Sequence, residues 1–340
     1  MIVRRTAALL LAFCLALPGS ILPAHARAEG ELAAGRELTA DFRQGRYERI
    51  WDRMTEEMHA ALGSAAMLGE VAKYVEARFG TEKTVVSEEV RDYLGYHYYS
   101  RVSDYDKAPR PIVTQWTIDR AGKIAGFFIR PRQEAAASAF LDYENKAELR
   151  LPFDGEWYVT WGGRTPEDNY HAVDKGQRFA YDFLIAHDDS SHGASQGGKG
   201  AAPEDYYCWD RPILAAAPGT VVRVVDGLPD NPIGTMDAKN PGGNHVVVDL
   251  GHSEYAFFAH LRQGSVAVRE GESVAAGQEL GRCGNSGNSS EPHLHFHLQT
   301  TPDLGTGEGL PAAFRHYTAD GKPVAKGEPL RGQIVAPQRD

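Results

Sequence analysis

Three histidines alternate within one short segment near the end of the chain. The run Pro292-His293-Leu294-His295-Phe296-His297 places an imidazole at every second position. Alternate side chains of a β-strand share a face, so the three histidines point one way and the apolar residues between them face a core. Imidazoles gathered on one face of an otherwise buried strand are costly without partners, and a metal ion is such a partner. The alternative is a polar row on a solvated sheet face.

Two other segments carry residues of the same chemistry. His260 lies near the end of the apolar run Tyr255–Leu261, and Asp182 is a lone carboxylate inside the run Arg178–Ile185. A buried carboxylate needs a charged partner or hydrogen bonds. Zinc takes imidazole nitrogens and carboxylate oxygens in tetrahedral sites, and a catalytic zinc keeps one position for water. One Asp with several His is therefore the residue set of a hydrolytic metal site.

The elements that must position these residues are short and β-type. Apolar segments cover residues 157–161, 179–186, 220–225, 245–250, 255–261 and 293–298. They are separated by Gly and Pro, and no helical period follows residue 150, so we expect an all-β domain of antiparallel sheets. Residues 187–205 are rich in Gly, Ser and Asp, which predicts a long surface loop.

The N-terminal half changes its hydrophobic period midway. Spacings of three and four predict helices over residues 30–80, with Gly80 as a stop. The β-rich segments 112–118 and 124–129, joined by a turn at 119–123, then predict an antiparallel sheet. The expected fold is an α+β domain, whose aromatic residues form either a binding face or a sheet face packed on helices. These residues are Tyr93, Tyr96, Tyr98, Tyr99 and Trp116.

Charge and the N-terminus restrict the class of protein. The 340 residues include 36 Lys+Arg against 46 Asp+Glu, a formal net charge of −10, which argues against nucleic acid as the main partner because phosphate binding needs a basic face. Two arginines, Arg4 and Arg5, precede a short apolar run and a small-x-small site, either Ala24–Ala26 or Ala26–Ala28. This pattern predicts a cleaved signal peptide and export to the periplasm or the medium. The run is short for a bilayer, so no stable membrane insertion is expected after cleavage. An N-terminal anchor is the alternative.

Cysteine use agrees with export. Cys14 leaves with the signal peptide, whereas Cys208 and Cys283 remain and favour one disulfide. Two buried free thiols are the alternative. Neither cysteine lies in a Cys-x-x-Cys pair, so a zinc ribbon is not supported.

The C-terminal motifs together resemble the lysostaphin/LytM-type zinc metallopeptidases, with a β-lytic-like variation. The resemblance covers about residues 155–315 and rests on Ala259-His260-Leu261, on the Val-x-x-Gly-x-x-Leu-Gly segment ending at Gly281, and on the run from Pro292 to Phe296. It implies an enzyme that cuts peptide cross-links of bacterial peptidoglycan, with one Zn²⁺ per chain and peptide stems as its partner. The N-terminal half weakly resembles the small NTF2-like domains.

The resemblance implies a role for each site residue. His295 and Asp182 would bind zinc, whereas His293 and His260 would be catalytic and stay off the metal. The family's third ligand is usually a His four residues before the Asp, a position held here by Arg178, whose guanidinium has no lone pair to offer. His171, eleven residues before Asp182, matches the β-lytic-type spacing and is the expected substitute. A degenerate two-ligand site, or a ligand from the segment that contains His187 and His192, remains open.

Smaller departures from the family pattern concern four other positions. His297 stands where the family commonly has Glu, and is expected either to orient a metal ligand or to be a partly exposed sheet residue. Phe258 stands where the family often has Tyr, so that position offers no hydroxyl. His245 and His252 are assigned to surface structure. Asn244 is expected to support a strand turn.

These inferences divide the chain into a signal peptide at 1–26, an NTF2-like domain at 27–135, a linker at 136–152 and a LytM-like zinc metallopeptidase domain at 153–335. The expected function is an exported zinc metalloendopeptidase that uses a metal-activated water and two histidines. A catalytically degenerate wall-binding protein, or an activator of another hydrolase, is the alternative. A biotinyl/lipoyl-type carrier shares the Val-x-x-Gly turn but needs an acceptor Lys, and no Lys lies between Lys239 and Lys322. Bond specificity and oligomeric state stay open.

Overall fold

The structure is a computed structural model that describes residues 24–187, 190 and 200–338. The predicted signal peptide lies almost entirely outside the described residues, as do His192 and most of the predicted loop at 187–205. None of the helices in the described part of the chain is long and apolar enough to cross a membrane.

The N-terminal half begins with helices that are broken by glycine. The helices are α1 (Ala24–Arg43), α2 (Tyr47–Trp51), α3 (Glu56–Leu62) and α4 (Ala66–Phe79). Gly45, Gly63 and Gly80 lie between or after them with φ of 72°, 78° and 82°, a left-handed backbone that glycine adopts without strain. The helical prediction over residues 30–80 is confirmed, as four separate helices.

A four-stranded antiparallel sheet follows, in the order of the chain. Its strands are β1 (Glu82–Tyr93), β2 (Tyr96–Tyr105), β3 (Ile112–Ile118) and β4 (Ile124–Pro131). Helix α1 packs closely on one sheet face, because a Cβ at Gly35 would lie 2.0 Å from Tyr99 Cγ. On the same face Trp116 Nε1 donates a hydrogen bond to Thr39 Oγ1 at 3.0 Å. The α+β prediction is confirmed, while the NTF2-like label stays a prediction.

The aromatic residues of this sheet divide between its two faces. Tyr99 and Trp116 are buried beneath the helices, as the packing interpretation predicts. Tyr93 and Tyr98 instead line a cavity against the C-terminal half of the chain.

Among the described residues of the C-terminal half, the regular secondary structure is mostly β-strand. The strands are β5 (Trp157–Trp161), β6 (Tyr181–Leu184), β7 (Pro212–Leu214), β8 (Gly219–Val225), β9 (Asn244–Asp249), β10 (Tyr255–Leu261), β11 (Ser273–Val274), β12 (Glu279–Arg282), β13 (Leu294–Gln299), β14 (Gly309–Leu310), β15 (Phe314–Ala319), β16 (Lys322–Gly327) and β17 (Ile334–Pro337). The main antiparallel sheet has the order β11-β8-β9-β10-β13-β6-β5-β17-β15-β16, and β14 also pairs with β13. Strands β7 and β12 form a separate pair. The prediction of antiparallel sheets is confirmed.

Strand β13 lies near the centre of this sheet and separates the core from the polar site. Leu294, Phe296 and Leu298 are fully buried members of the main apolar core. The histidines between them therefore project from the opposite face. On that face β13 has β10 on one side and β6 on the other, which brings His260 and Asp182 toward it.

The segment predicted as a linker packs on the C-terminal half and forms hydrogen bonds with it. Residues 136–152 contain only turns, extended chain and an isolated bridge from Leu149 to Phe314. Glu254 is fully buried, and its carboxylate accepts hydrogen bonds from Tyr143 Oη at 2.8 Å and Ala147 N at 2.9 Å. Leu149 and Leu151 join the main core. The domain boundaries themselves stay a prediction.

The two remaining cysteines are separate, buried thiols. Both Cys208 and Cys283 are free, so the predicted disulfide is wrong and the alternative of two buried thiols holds. Cys208 Sγ donates a hydrogen bond to the carbonyl of Pro292 at 2.9 Å. Burial, and the nearby Cys208 sulfur, raise the pKa of the Cys283 thiol well above its usual value. A protonated, buried thiol is a poor nucleophile.

Candidate metal centre

Asp182 lies between two imidazoles, one on each oxygen of its carboxylate. It pairs in register with His295 of the neighbouring strand, and Oδ1 lies 2.9 Å from His295 Nδ1. Oδ2 lies 3.0 Å from His171 Nε2. Burial opposes ionisation of Asp182, but the charge and hydrogen bonds of the surrounding imidazoles hold its pKa well below its usual value.

These three residues offer one ligand atom each within 4.8 Å of one another, and all three side chains are buried. Two imidazole nitrogens and one carboxylate oxygen form a donor set that suits zinc and leaves a fourth position for water. The structure therefore brings the predicted ligands together and fits the metal expected from the resemblance.

His171 reaches the site from an irregular segment rather than from a strand. It lies in a short 3-10 helix, Tyr170–Val173, whose preceding residue Asn169 is fully buried. The Asn169 side chain accepts a hydrogen bond from His171 N at 3.2 Å and donates to the carbonyls of Gly163 at 3.1 Å and Ala180 at 2.9 Å. Asn169 thus ties the 3-10 helix to the chain before and after it. Asn169 was not predicted from the sequence, although an Asn two residues before a candidate ligand is a capping signal.

Arg178, which stands where the family usually has its third ligand, supports His171 from behind. Its side chain is 7% exposed, and Nη1 donates a hydrogen bond to the carbonyl of Ala172 at 3.2 Å. Burial lowers the pKa of Arg178, and the nearby Arg164 lowers it further. Arg178 therefore stabilises the 3-10 helix that carries the candidate ligand His171.

His260 is turned toward the site by an irregularity in β10. Phe258 and Leu261 both enter the main core although they are three positions apart, and the pairing of β10 with β9 shifts register between them. The extra residue lets His260 leave the core side, where simple alternation would place it with Phe258. Its φ is 63°, an uncommon value for a residue with a side chain, and such strain is often found at functional sites.

The two predicted catalytic histidines present the same nitrogen to the site. Nδ1 of His260 lies 2.8 Å from the carbonyl of Ser286, and Nδ1 of His293 lies 2.8 Å from the carbonyl of Glu291. A carbonyl only accepts, so each Nδ1 carries a proton and each neutral ring keeps its lone pair on Nε2. The two ring centroids are 4.8 Å apart.

The Nε2 atom of His293 is buried beside the carboxylate of Asp182 without a partner of its own. It lies 3.7 Å from Asp182 Oδ1, which is too long for a hydrogen bond. It has no hydrogen-bond partner among the described residues. A buried basic nitrogen left unpaired beside the candidate ligands is suited to take a proton from a bound reactant.

A chain of hydrogen bonds runs from His295 through His297, away from the other two candidate ligands. Nε2 of His295 lies 2.9 Å from Nδ1 of His297, whose Nε2 lies 3.2 Å from Gln299 Oε1. The Gln299 amide donates to the carbonyl of Thr301 at 2.6 Å. His297 is 1% exposed and its ring stacks on Phe257 at 4.5 Å, so the expectation of a partly exposed sheet residue is wrong. The alternative expectation, that it orients a ligand, fits these contacts.

The other histidines considered from the sequence lie outside this cluster. His187 is exposed, with its ring 4.5 Å from that of Tyr207. His252 is exposed, as expected, but the surface assignment of His245 is wrong, because it is 7% exposed and its Nδ1 bonds the carbonyl of Gly243 at 2.8 Å. Its place on a central strand between buried neighbours explains the burial.

Asn244 has the structural role that the sequence predicts. It is fully buried, and its side chain accepts from Leu228 N at 2.9 Å and donates to the carbonyls of Leu228 at 2.8 Å and Leu261 at 3.1 Å. These bonds hold the start of β9 beside the irregular end of β10.

Part of this site lies in a segment that resembles a known family of peptidases. Residues 205–304 match the model of peptidase family M23. The match covers less than a third of the chain and confirms the resemblance found from the motifs. The matched segment includes His260, His293 and His295, whereas His171 and Asp182 lie upstream of it.

Comparison with individual proteins gives short or distant matches. A stretch of 64 residues is 38% identical to the peptidoglycan DD-endopeptidase ShyA of Vibrio cholerae, and covers 18% of this chain and 14% of that protein. Among solved structures, a mutant catalytic domain of the prophage-encoded M23 protein EnpA from Enterococcus faecalis is 20% identical, with a TM-score of 0.31, over 48% of this chain and 94% of that one. The catalytic domain of lysostaphin from Staphylococcus simulans is 19% identical, with a TM-score of 0.27, over 46% and 88%. At these TM-scores the likeness supports no conclusion about this chain.

Proposed function

We propose that the protein is an exported zinc metalloendopeptidase that hydrolyses peptide cross-links of bacterial peptidoglycan. The observation that carries the proposal is the meeting of His171, Asp182 and His295 within 4.8 Å, beside the unpaired Nε2 of His293. The short match to a protein named as a peptidoglycan DD-endopeptidase supports peptide stems as the substrate. The predicted signal peptide supports action in the periplasm or outside the cell.

One zinc ion per chain would be held by Nε2 of His171, a carboxylate oxygen of Asp182 and Nδ1 of His295. Bound zinc supplies a Lewis acid and lowers the pKa of water from about 15.7 to about 7. His297 holds the proton of His295 on Nε2, which leaves Nδ1 of His295 free to bind the metal.

His293 and His260 perform the proton transfers in this proposal. Nε2 of His293 accepts a proton from the attacking water and returns one to the leaving amine. Nε2 of His260 faces the same space, because its Nδ1 is fixed on the carbonyl of Ser286. That atom holds the lone pair of the neutral ring, so it would donate to the oxygen that gains negative charge only after it takes up a proton during the reaction.

The experiment that tests the proposal is digestion of purified peptidoglycan by the zinc-loaded protein, with the released peptides identified by mass spectrometry. We expect new amino and carboxyl termini at peptide cross-links, and loss of activity after the zinc is removed by a chelator. The His293→Ala variant is the matched control, because it leaves the three proposed ligands in place. A zinc-free protein that binds the wall without cutting it would contradict the proposal and favour the degenerate wall-binding alternative.

A further inference from the structure

A cavity of about 460 Å³ lies between the N-terminal sheet and the segment that leads to His171. Its N-terminal wall includes Arg91, Tyr98 and Arg130, on the sheet face opposite α1. Its C-terminal wall includes Trp161 and Arg331. Known small-ligand sites have volumes of about 300–1,000 Å³, so this cleft is large enough for a short length of peptide.

The cleft shares a wall with the candidate metal centre. Tyr170 lines the cleft, and its ring centroid is 3.9 Å from that of the next residue, His171. Trp161 meets Tyr170 edge to face at 5.1 Å. A ligand in the cleft is therefore separated from a proposed zinc ligand by one aromatic ring.

The cleft has more positive than negative groups on its walls. Four arginines and three carboxylates line it. Arg91 pairs with Asp168, and Arg132 pairs with Glu167 at 2.8 Å. The third carboxylate, Glu89, also pairs with Arg91, at 3.1 Å. The three carboxylates therefore pair with only two of the four arginines.

The other two arginines stack on aromatic rings and form no ion pair among the described residues. Arg130 lies over Phe128 at 4.5 Å. Arg331 lies between Tyr93 and Trp161, at 3.9 and 3.8 Å from their ring centroids, and its buried Nε has no hydrogen-bond partner in the described part of the chain. Nη1 of Arg331 donates a hydrogen bond to the carbonyl of Glu167 at 3.0 Å, which leaves the Nε side of this guanidinium for a ligand. Such a guanidinium edge matches the two oxygens of a carboxylate.

We propose that this cleft binds a carboxylate-bearing peptide segment of the substrate, with Arg130 and Arg331 as the anion-binding residues and Tyr93, Tyr98 and Trp161 as the apolar walls. The inference rests on the proposed function, because one peptide substrate would occupy both the cleft and the metal centre. The N-terminal domain then becomes part of the substrate-binding site.

The test measures binding separately from hydrolysis. A synthetic cross-linked dimer of two stem peptides is made in two forms, with its side-chain carboxylates free or converted to amides. Calorimetry gives the dissociation constants of both forms for zinc-loaded His293→Ala protein, in which the proposed ligands and the cleft are unchanged. The same measurements are repeated after adding Arg130→Ala, or Arg78→Ala as a matched loss of an exposed arginine outside the cleft.

We expect the free acid to bind about tenfold more tightly than the amide, as for a charge-assisted hydrogen-bonded pair. Arg130→Ala should reduce that ratio at least about threefold, and Arg78→Ala should leave it unchanged. Equal binding of acid and amide, or a ratio that Arg130→Ala does not alter, would overturn the inference. If the wild-type protein fails to cut the dimer while the binding pattern holds, the proposed function fails and the anion site stands.

Discussion

Nε2 of His295 lies 2.9 Å from Nδ1 of His297, on the side of the His295 ring that faces away from Asp182. This contact fixes which nitrogen of His295 carries the proton, because a ring that binds a metal through Nδ1 must donate from Nε2. The next bond, to Gln299, fixes His297 in turn. A buried residue with no direct role in the reaction thereby sets the state of a proposed metal ligand.

We predict that His297→Leu lowers zinc affinity about 10–100-fold, since it removes the acceptor for the His295 proton. His297→Gln keeps an acceptor oxygen in a side chain of similar size, and should retain most of the affinity. Zinc dissociation constants from competition with a chromophoric chelator measure both effects. Equal losses in the two variants would show that packing on Phe257, rather than the hydrogen bond, is what matters.

A second prediction concerns the backbone of His260. Its φ of 63° favours glycine over any other residue, and the strain costs on the order of 1 kcal/mol. His260→Gly should therefore be more stable than His260→Ala by about 1 kcal/mol, although glycine normally weakens a strand. Urea denaturation of the two variants gives the difference. Both lack the imidazole, so both should be inactive while they still bind zinc.

The reverse order of stability, with the alanine variant more stable, would show that the bulge in β10 relaxes when the side chain is removed. In that case the positive φ would be a consequence of the imidazole contacts. The bulge would then not be a property of the strand itself.

A third prediction concerns acid stability of the N-terminal domain. Burial opposes ionisation of Glu88, but hydrogen bonds from Arg36, Tyr99 and Arg101 lower its pKa to about 2. A depressed carboxyl pKa stabilises the folded state above the unfolded value, about 4.5, and this stability is lost as the pH falls from there toward 2. Glu88→Gln should lose on the order of 2–3 kcal/mol at pH 7 and show a flatter stability profile between pH 5 and pH 2.

Urea denaturation across that pH range tests this expectation. Glu70→Gln is the matched control, because Glu70 is exposed and its one ion pair within the described part of the chain is with Lys73, across one helical turn. An exposed pair of this kind contributes little, so the control should keep the wild-type profile. If Glu88→Gln also kept the wild-type slope, the partly buried ion pairs of Glu88 would not account for acid unfolding.

Hydrophobic periodicity predicts part of the geometry of the candidate metal site. Alternation in the segment ending at His297 separates the imidazoles from the apolar residues, and a carboxylate in an apolar run predicts a buried Asp182. The apolar run that ends at Leu261 predicts where β10 ends. These features follow from rules that act over a few residues.

The features that the sequence did not predict depend on packing between distant segments. The burial of His245 follows from its place on a central strand, which its own neighbours in sequence do not reveal. The hydrogen bonds of Arg178 and Asn169 form only when the turn at His171 is folded. The cleft behind Arg331 requires the N-terminal sheet to face the metal domain, and no local pattern encodes that arrangement.

The most direct test of the account is the zinc content of four purified proteins, measured by mass spectrometry of the metal after dialysis. We predict one zinc per chain in the wild type and in His293→Ala, and none in His171→Ala or His295→Ala. Circular dichroism of each variant shows whether it is folded. Retention of a full zinc equivalent by folded His171→Ala, or loss of zinc from His293→Ala as readily as from His295→Ala, would contradict the assignment of the metal ligands.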